Sequence, residues 1–402
     1  MHRHMLVSSA AGKLARILAS ATVGAALTLT LGAAAAPAGP QARTGAATDL
    51  KFTLNAVSAL SASDAWAVGN SARVLHWNGT TWTQATIPGL PAAVSLNAVQ
   101  ALSPADVWAV GEASSGEPYA LSKTLIVHWD GTAWTRVPSP GPTSLGVSLS
   151  SLNMDSATDG WAAGAVDHEQ TNTTTGLEMH WNGTSWQQVS ALPAFIFTGV
   201  KSFSASDATA VGDDRTAMHT YKPAAFGWNG TSWVLTAFLP TPSGVPASHA
   251  GVSSLSAPSA TDMWAIGGYY TTQRANNLAW HWDGTRWTVM TTPSPGVPII
   301  GVSGLTGVDA FSPADVWAVG FAATKNCAYN CIYQTVSVHW NGTRWIRAAT
   351  PDPAGPNQSA ILLGMGATGP SDVWAVGRYH TSAADVPHTL ILHWDGTSWS
   401  QF

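Results

Sequence analysis

The chain has 402 residues, of which 45% are hydrophobic and only 10% charged, with 38 Gly, 21 Trp and a formal charge of −5. An average soluble domain is about 25% charged; so sparse a charge set, with no basic block, excludes the electrostatic footprint of a nucleic-acid binder. Two cysteines, Cys327 and Cys331, are too few for a disulfide framework or a zinc cluster.

Residues 1–16 carry Arg3, Lys13 and Arg16 and no acid, and Ile17 to Ala36 is apolar and small. Ala36-Pro37-Ala38 then offers the small side chains that a signal peptidase reads. Residues 1–38 are expected to be a secretory signal peptide cleaved after Ala38, the alternative being a retained membrane anchor. No Cys follows the run, which argues against a lipoprotein, and no second run reaches membrane length. The expected product is secreted, free of the membrane, and more acidic by the three lost cations, at −8. Residues 39–52 read as a linker of Gly, Pro, Ala and Gln.

From 53 to 402 two phrases alternate. The first is Ser103-Pro-Ala-Asp-Val-Trp-Ala-Val-Gly111, repeated identically at Ser312 to Gly320 and more loosely five further times. Its aspartates are Asp64, Asp106, Asp159, Asp207, Asp262, Asp315 and Asp372. The second is Trp, Asp or Asn, then Gly-Thr-x-Trp, ending at Trp82, Trp134, Trp186, Trp233, Trp287, Trp345 and Trp399. The spacing, mostly in the low fifties, is a propeller period. Each unit holds four strand signals rich in β-branched and aromatic residues. In the second unit these are Leu96–Val99, Val107–Val110, Leu125–Trp129 and a strand beginning at Trp134. The Ser-x-x-Asp turn joins strands one and two, with the Asp expected to bond local backbone amides. Asn-Gly or Asp-Gly joins strands three and four, expected as a type I′ turn. The fold class is therefore all-β, a seven-bladed propeller of four-stranded antiparallel blades. Twenty of the 21 tryptophans fall at three repeated positions, leaving Trp280 over.

At Asp130-Gly131-Thr132-Ala133-Trp134 the chain resembles the Asp-box (BNR) repeats of sialidase-like propellers, with one residue fewer between Asp and Trp. Its repeat length is similar to that of kelch and galactose-oxidase propellers, although their Gly-Gly doublet is not repeated here. The resemblance spans about residues 50–402 and implies architecture, with a carbohydrate-active enzyme as one functional reading.

Histidine precedes the third-strand Trp in six units (His76, His128, His180, His281, His339, His393). Seven blades hold equivalent side chains too far apart to share an ion, so packing is expected rather than a metal site. The fourth unit has Thr209 for the strand-two Trp and Gly227 for the His, a joint loss which implies that the two rings touch. Cys327 and Cys331 are expected to form a local disulfide in an exported chain.

The turns between strands one and two and between three and four scarcely vary, so that face is expected to be structural. The two-to-three connections vary, share the opposite face, and carry all seven tyrosines. Binding concentrates on variable loops of a rigid frame. The candidate ligand-binding patch is Tyr269, Tyr270, Arg274, Tyr329, Tyr333, Arg378, Tyr379 and His380, where rings would stack on sugars and Arg would orient carboxylates. The alternative is that these rings cap the blade tops. The expected function is non-catalytic binding of an extracellular glycan or protein by a monomer, with no metal and no cofactor. A glycoside hydrolase or lyase and a structural protein of the cell exterior are the alternatives.

Overall fold

The computed structural model describes residues 50–402 except 92, 118–119, 143–145, 169–172, 190–194, 215–221, 272–273, 295–302, 325–330 and 383–384. The expected signal peptide, most of the linker, Cys327 and Tyr329 lie outside the described residues.

Twenty-eight strands form seven separate four-stranded sheets, each ordered one-two-three-four and antiparallel throughout. The blades span 54–85, 93–137, 146–189, 195–238, 250–290, 303–348 and 360–401. Their first strands are Leu54–Ser61, Ala93–Ser103, Gly146–Ser156, Phe195–Ser204, Ala250–Ser259, Ser303–Ser312 and Ala360–Gly369. These strands stand around a central cavity of about 880 Å³. The apolar core is not central. It is divided among the seven interfaces between successive blades, one large cluster to each.

The repeated tryptophans build these interfaces. Trp66 of blade 1 lies 5.3 Å from Trp129 and 5.5 Å from Trp134 of blade 2. The same wedge recurs as Trp108 with Trp181 and Trp186, and as Trp317 with Trp394 and Trp399. Burying such rings contributes several kcal/mol each, gross of chain entropy. Thr209 breaks the wedge between blades 4 and 5. Trp280, which the repeat left unassigned, is fully buried in that same interface and donates its indole N–H to the Pro240 carbonyl at 2.6 Å.

Two turn expectations need correction. The first-phrase aspartates do not hold local amides. Six of the seven accept instead from the histidine of their own blade, as in Asp106–His128 at 2.8 Å and Asp372–His393 at 2.6 Å; blade 4, with Gly227 in place of the histidine, has no such pair for Asp207. The Ser of the turn is what bonds backbone, Ser103 Oγ accepting from Ala105 N. The second turn is not type I′, because among the described residues only its Gly has positive φ, as at Gly131 with 92°. It is a four-residue loop in which the Asx side chain reinforces a long backbone bond, Asp130 N donating to the Ala133 carbonyl at 3.4 Å. Asp130 Oδ1 accepts from Thr132 N, Thr132 Oγ1 and Ala133 N. Those bonds, the Thr132 hydroxyl first, hold the Asp130 carboxyl at about 2. The expected contact between strand-two Trp and His is present: Trp66 stacks on His76 at 4.2 Å and Trp317 on His339 at 4.4 Å.

The Gly that ends the first phrase also has a cause. Strand one bulges opposite it, with a register shift between Leu305 and Gly307 in blade 6. A Cβ on Gly320 would sit 2.1 Å from the Gly304 carbonyl oxygen, and the corresponding distance at Gly111 is 1.9 Å. No side chain fits there.

The ring closes without exchanging a strand. Blade 7 receives Leu50 to Thr53 along its third strand, through Thr389 N to the Leu50 carbonyl and Thr389 Oγ1 to the Phe52 carbonyl, both 2.8 Å. Trp374 of blade 7 lies 5.2 Å from both Trp77 and Trp82 of blade 1, and Phe402 packs on Trp77 and Trp374. The packing of the disc thus reaches back to Leu50, inside the segment read as linker.

Candidate functional site: the axial cavity and the variable-loop face

The tyrosines of the proposed patch sit at strand ends, because strands two and three run further than their sequence signals. Tyr269 and Tyr270 end strand two of blade 5 (Asp262–Tyr270), Tyr379 ends that of blade 7 (Asp372–Tyr379), and Tyr333 begins strand three of blade 6 (Tyr333–Trp340). Each described ring has a protein neighbour. Tyr270 stacks on His249 at 4.3 Å, Tyr379 on His388 at 5.0 Å, and Tyr333 meets Phe321 edge-on at 5.3 Å. Tyr269 packs against the cluster between blades 4 and 5. Arg274 is exposed, while burial lowers the Arg378 guanidinium and raises the Tyr333 hydroxyl.

The structure brings together part of this set at the junction of blades 6 and 7. Ser359 Oγ accepts from Tyr333 N and donates to the Cys331 carbonyl, and Ser359 O accepts from His380 N at 2.9 Å. Cys331 is engaged in a disulfide. His380 Nδ1 lies 3.2 Å from the Asp385 carbonyl, and His388 Nε2 lies 2.6 Å from Asp385 Oδ2. Tyr269, Tyr270 and Arg274 stand apart on blade 5.

Sequence reading missed the cavity. Its walls come from the first strands of all seven blades, and its upper rim reaches the two-to-three connections at Asn70, Ser114 and Ser122. It therefore opens on the variable face. The lining is mostly hydroxyl, amide and backbone, with Glu112, Asp167 and Asp309 as its carboxylates and Lys201 as its cation.

Two hydrogen-bonded rings shape this wall. At the bulge, Asn55 Nδ2 donates to the Leu96 carbonyl of the next blade, Asn97 Nδ2 to Leu149, Ser150 Oγ to Phe197 and Thr306 Oγ1 to Leu362. Three residues further along strand one, at the position paired with strand-two Trp or Thr209, stand Ser58, Gln100, Asn153, Lys201, Ser256, Asp309 and Gly366. Five of these accept a backbone N–H from the next blade. Ser58 takes Ala101, Gln100 takes Met154, Asn153 takes Ser202, Ser256 takes Ala310 and Asp309 takes Ala367, at 2.7 to 3.1 Å. Burial pushes the Asp309 carboxyl up to about 6 against the Ala367 bond and the Lys201 charge. Burial also lowers Lys201, while Asp309 and Asp155 oppose that shift. The sequence signal was present in principle: a polar residue stands eight before the strand-two Trp or Thr209 in six of the seven blades, with Gly366 the exception. It was obscured because six residue types share the seven positions.

Among the described residues no group of three or more His, Cys, Asp or Glu is arranged to hold a metal ion. No family model matches the chain, and no curated protein does. Solved structures match in shape. YCF48 bound to D1 peptide aligns with a TM-score of 0.50 at 14% identity, covering 86% of this chain and 95% of that one. The GH74 xyloglucanase from Xanthomonas campestris aligns at 0.53 with 12% identity over 88% of this chain and 59% of that one. The WD40 propeller domain of Doa1 aligns at 0.50 with 14% identity over 85% and 94%. At such identities the likeness defines the class, a seven-bladed β-propeller, and nothing narrower.

Proposed function

We propose that the protein is an exported, non-catalytic propeller that binds an extracellular glycan or protein ligand on its variable-loop face, with part of the ligand entering the axial cavity. The observation that carries this reading is the cavity itself: about 880 Å³, polar in lining, reaching the variable face. A site of that size with convergent polar groups in a rigid wall is the usual form of a binding site. The chemistry of the lining favours recognition over hydrolysis. Hydroxyls, amides and backbone predominate, and the three carboxylates, Glu112, Asp167 and Asp309, come one each from blades 2, 3 and 6. The patch of Tyr269, Tyr270, Arg274, Tyr329, Tyr333, Arg378, Tyr379 and His380 would supply contacts outside the mouth.

The test is a glycan array and a cell-surface pull-down with the full chain, repeated with Glu112→Gln/Asp167→Asn and with Tyr270→Ala/Arg274→Ala. Loss of a bound species in either variant, at unchanged melting temperature, supports the reading and says which region carries it. Binding indifferent to both sets removes it. Export is tested separately: the N-terminal residue of protein recovered outside the producing cell should be Gly39.

A further inference from the structure

We infer that the lower ring of the cavity is a subsite for a carboxylate, held by Lys201. The inference rests on the binding role proposed above and assigns the ligand its chemical class.

The reasoning is one of hydrogen-bond supply. Around the ring the acceptors are engaged. Gln100 Oε1 takes Met154 N and Asn153 Nδ2, Asn153 Oδ1 takes Ser202 N, and Asp309 is met by Ala367 N and Ser256 Oγ. Gly366 has no side chain to offer. Lys201 breaks the pattern of its neighbours: an ammonium cannot accept, so it cannot hold the next blade as five of the ring residues do. Its Nζ forms no hydrogen bond or ion pair with any described residue, and it is the cation in a wall that otherwise holds amides, hydroxyls and carboxylates. The ring therefore presents three unused N–H donors, in a partly desolvated place, with its neutral acceptors already taken. Charge-assisted bonds to an oxyanion are the strongest use of such a group.

The position opposes a simple alternative, that Lys201 is there to neutralise Asp309. Blade 5 separates the two strands, and the pair interacts only through its charges. Asp309 limits how tightly a second anion can sit beside Lys201, so its removal should strengthen binding. A carboxylate of this kind is borne by uronic-acid sugars and by peptide C-termini. The cavity admits either, since both present the same planar anion.

The experiment titrates the full chain by calorimetry with sodium glucuronate and with an N-acetylated tripeptide acid. The methyl ester of the one and the amide of the other serve as uncharged partners. At least one acid should bind roughly ten-fold or more tightly than its uncharged partner, and the responding arm names the source of the carboxylate. Lys201→Met should abolish that preference, Lys201→Arg should retain most of it, and Asp309→Asn should tighten the acid several-fold. Equal affinity for acid and neutral partner, no binding of any of the four, or a preference that survives in folded Lys201→Met would each overturn the subsite. The array and pull-down read the broader binding role independently, because a ligand captured there through Glu112 or Tyr270 leaves that role standing when Lys201 is indifferent.

Discussion

His339 Nε2 lies 2.7 Å from Asp315 Oδ1 while the His339 ring stacks 4.4 Å from Trp317, so one histidine joins the one-to-two turn to the wedge between blades 6 and 7. Six blades repeat this arrangement, and blade 4 loses Trp and His together. The coupling should be measurable. Asp315→Ala and His339→Ala are each expected to cost about 1–2 kcal/mol, and the double variant less than their sum by about 1 kcal/mol. Denaturant titration of the four proteins in the cycle checks it. Strict additivity would mean that the two side chains act separately.

The strand-two glycines are required by backbone contact and not by φ. Gly320→Ala places a methyl 2.1 Å from the Gly304 carbonyl oxygen, in a ladder that has nowhere to move. It should cost more than about 3 kcal/mol, or prevent folding. Gly355→Ala is the control: open space surrounds it, and φ is +68°. Only the left-handed penalty of about 1–2 kcal/mol applies there. Comparable losses at the two sites would contradict this account.

Glu178 should make stability fall as pH rises. It is fully buried, and neither carboxylate oxygen has a hydrogen-bond partner. Its place on strand three faces blade 4 beside Phe197, where blades 1 and 2 have Val74 and Ile126. Desolvation pushes the carboxyl from 4.5 up to about 8. The folded value exceeds the unfolded one, so the contribution is complete below about pH 4.5 and is lost as pH climbs through 8. A shift of that size corresponds to roughly 5 kcal/mol at most. Glu178→Gln should flatten the decline of melting temperature between pH 5 and 9. Glu178→Val should both flatten it and raise stability at pH 8. A wild-type melting curve that is level across this range would exclude a buried neutral acid.

The tryptophan wedges should not be equivalent. Trp317→Ala removes a ring buried between Trp394 and Trp399 and should cost about 3–5 kcal/mol. Trp282→Ala acts at the interface where Thr209 stands in place of a tryptophan, and Trp282 retains Trp287 as its ring neighbour at 5.8 Å. Its loss should cost about half as much. Trp280→Leu, matching Leu75 and Leu392 in other blades, should in turn destabilise that interface, because Trp280 supplies its fill. Urea midpoints order the three variants.

The architecture was legible in the sequence because each blade repeats the same buried set. Trp, His and Gly return at fixed spacing whenever the same interface recurs, and the loss of both Trp108- and His128-type rings from blade 4 gave away their contact. The role of the first-phrase aspartates was not legible, because an Asp in a Ser-x-x-Asp turn has an equally good local use. Only the fold shows that Asp106, at the start of strand two, bonds His128 on the neighbouring strand three. The cavity was hidden for a different reason. Its ring positions share geometry but not chemistry, from Gly366 to Lys201, so no motif marks them. The tyrosines were visible as a group by composition, yet their neighbours, His249 beside Tyr270 and His388 beside Tyr379, stand outside the repeated phrases.

Every boundary between blades but one is crossed by a peptide link that would restore it after separation. Blade 7 meets blade 1 through side-chain packing, with Trp374 against Trp77 and Trp82 and Phe402 against Trp77, and through the Thr389 bonds to Leu50 and Phe52, with no shared sheet. Mechanical or thermal opening of the disc should therefore begin as a sideways gap at this place, exposing indole surface before any strand unravels. Joining the two ends and cutting the chain between other blades would relocate that gap without altering a single side chain.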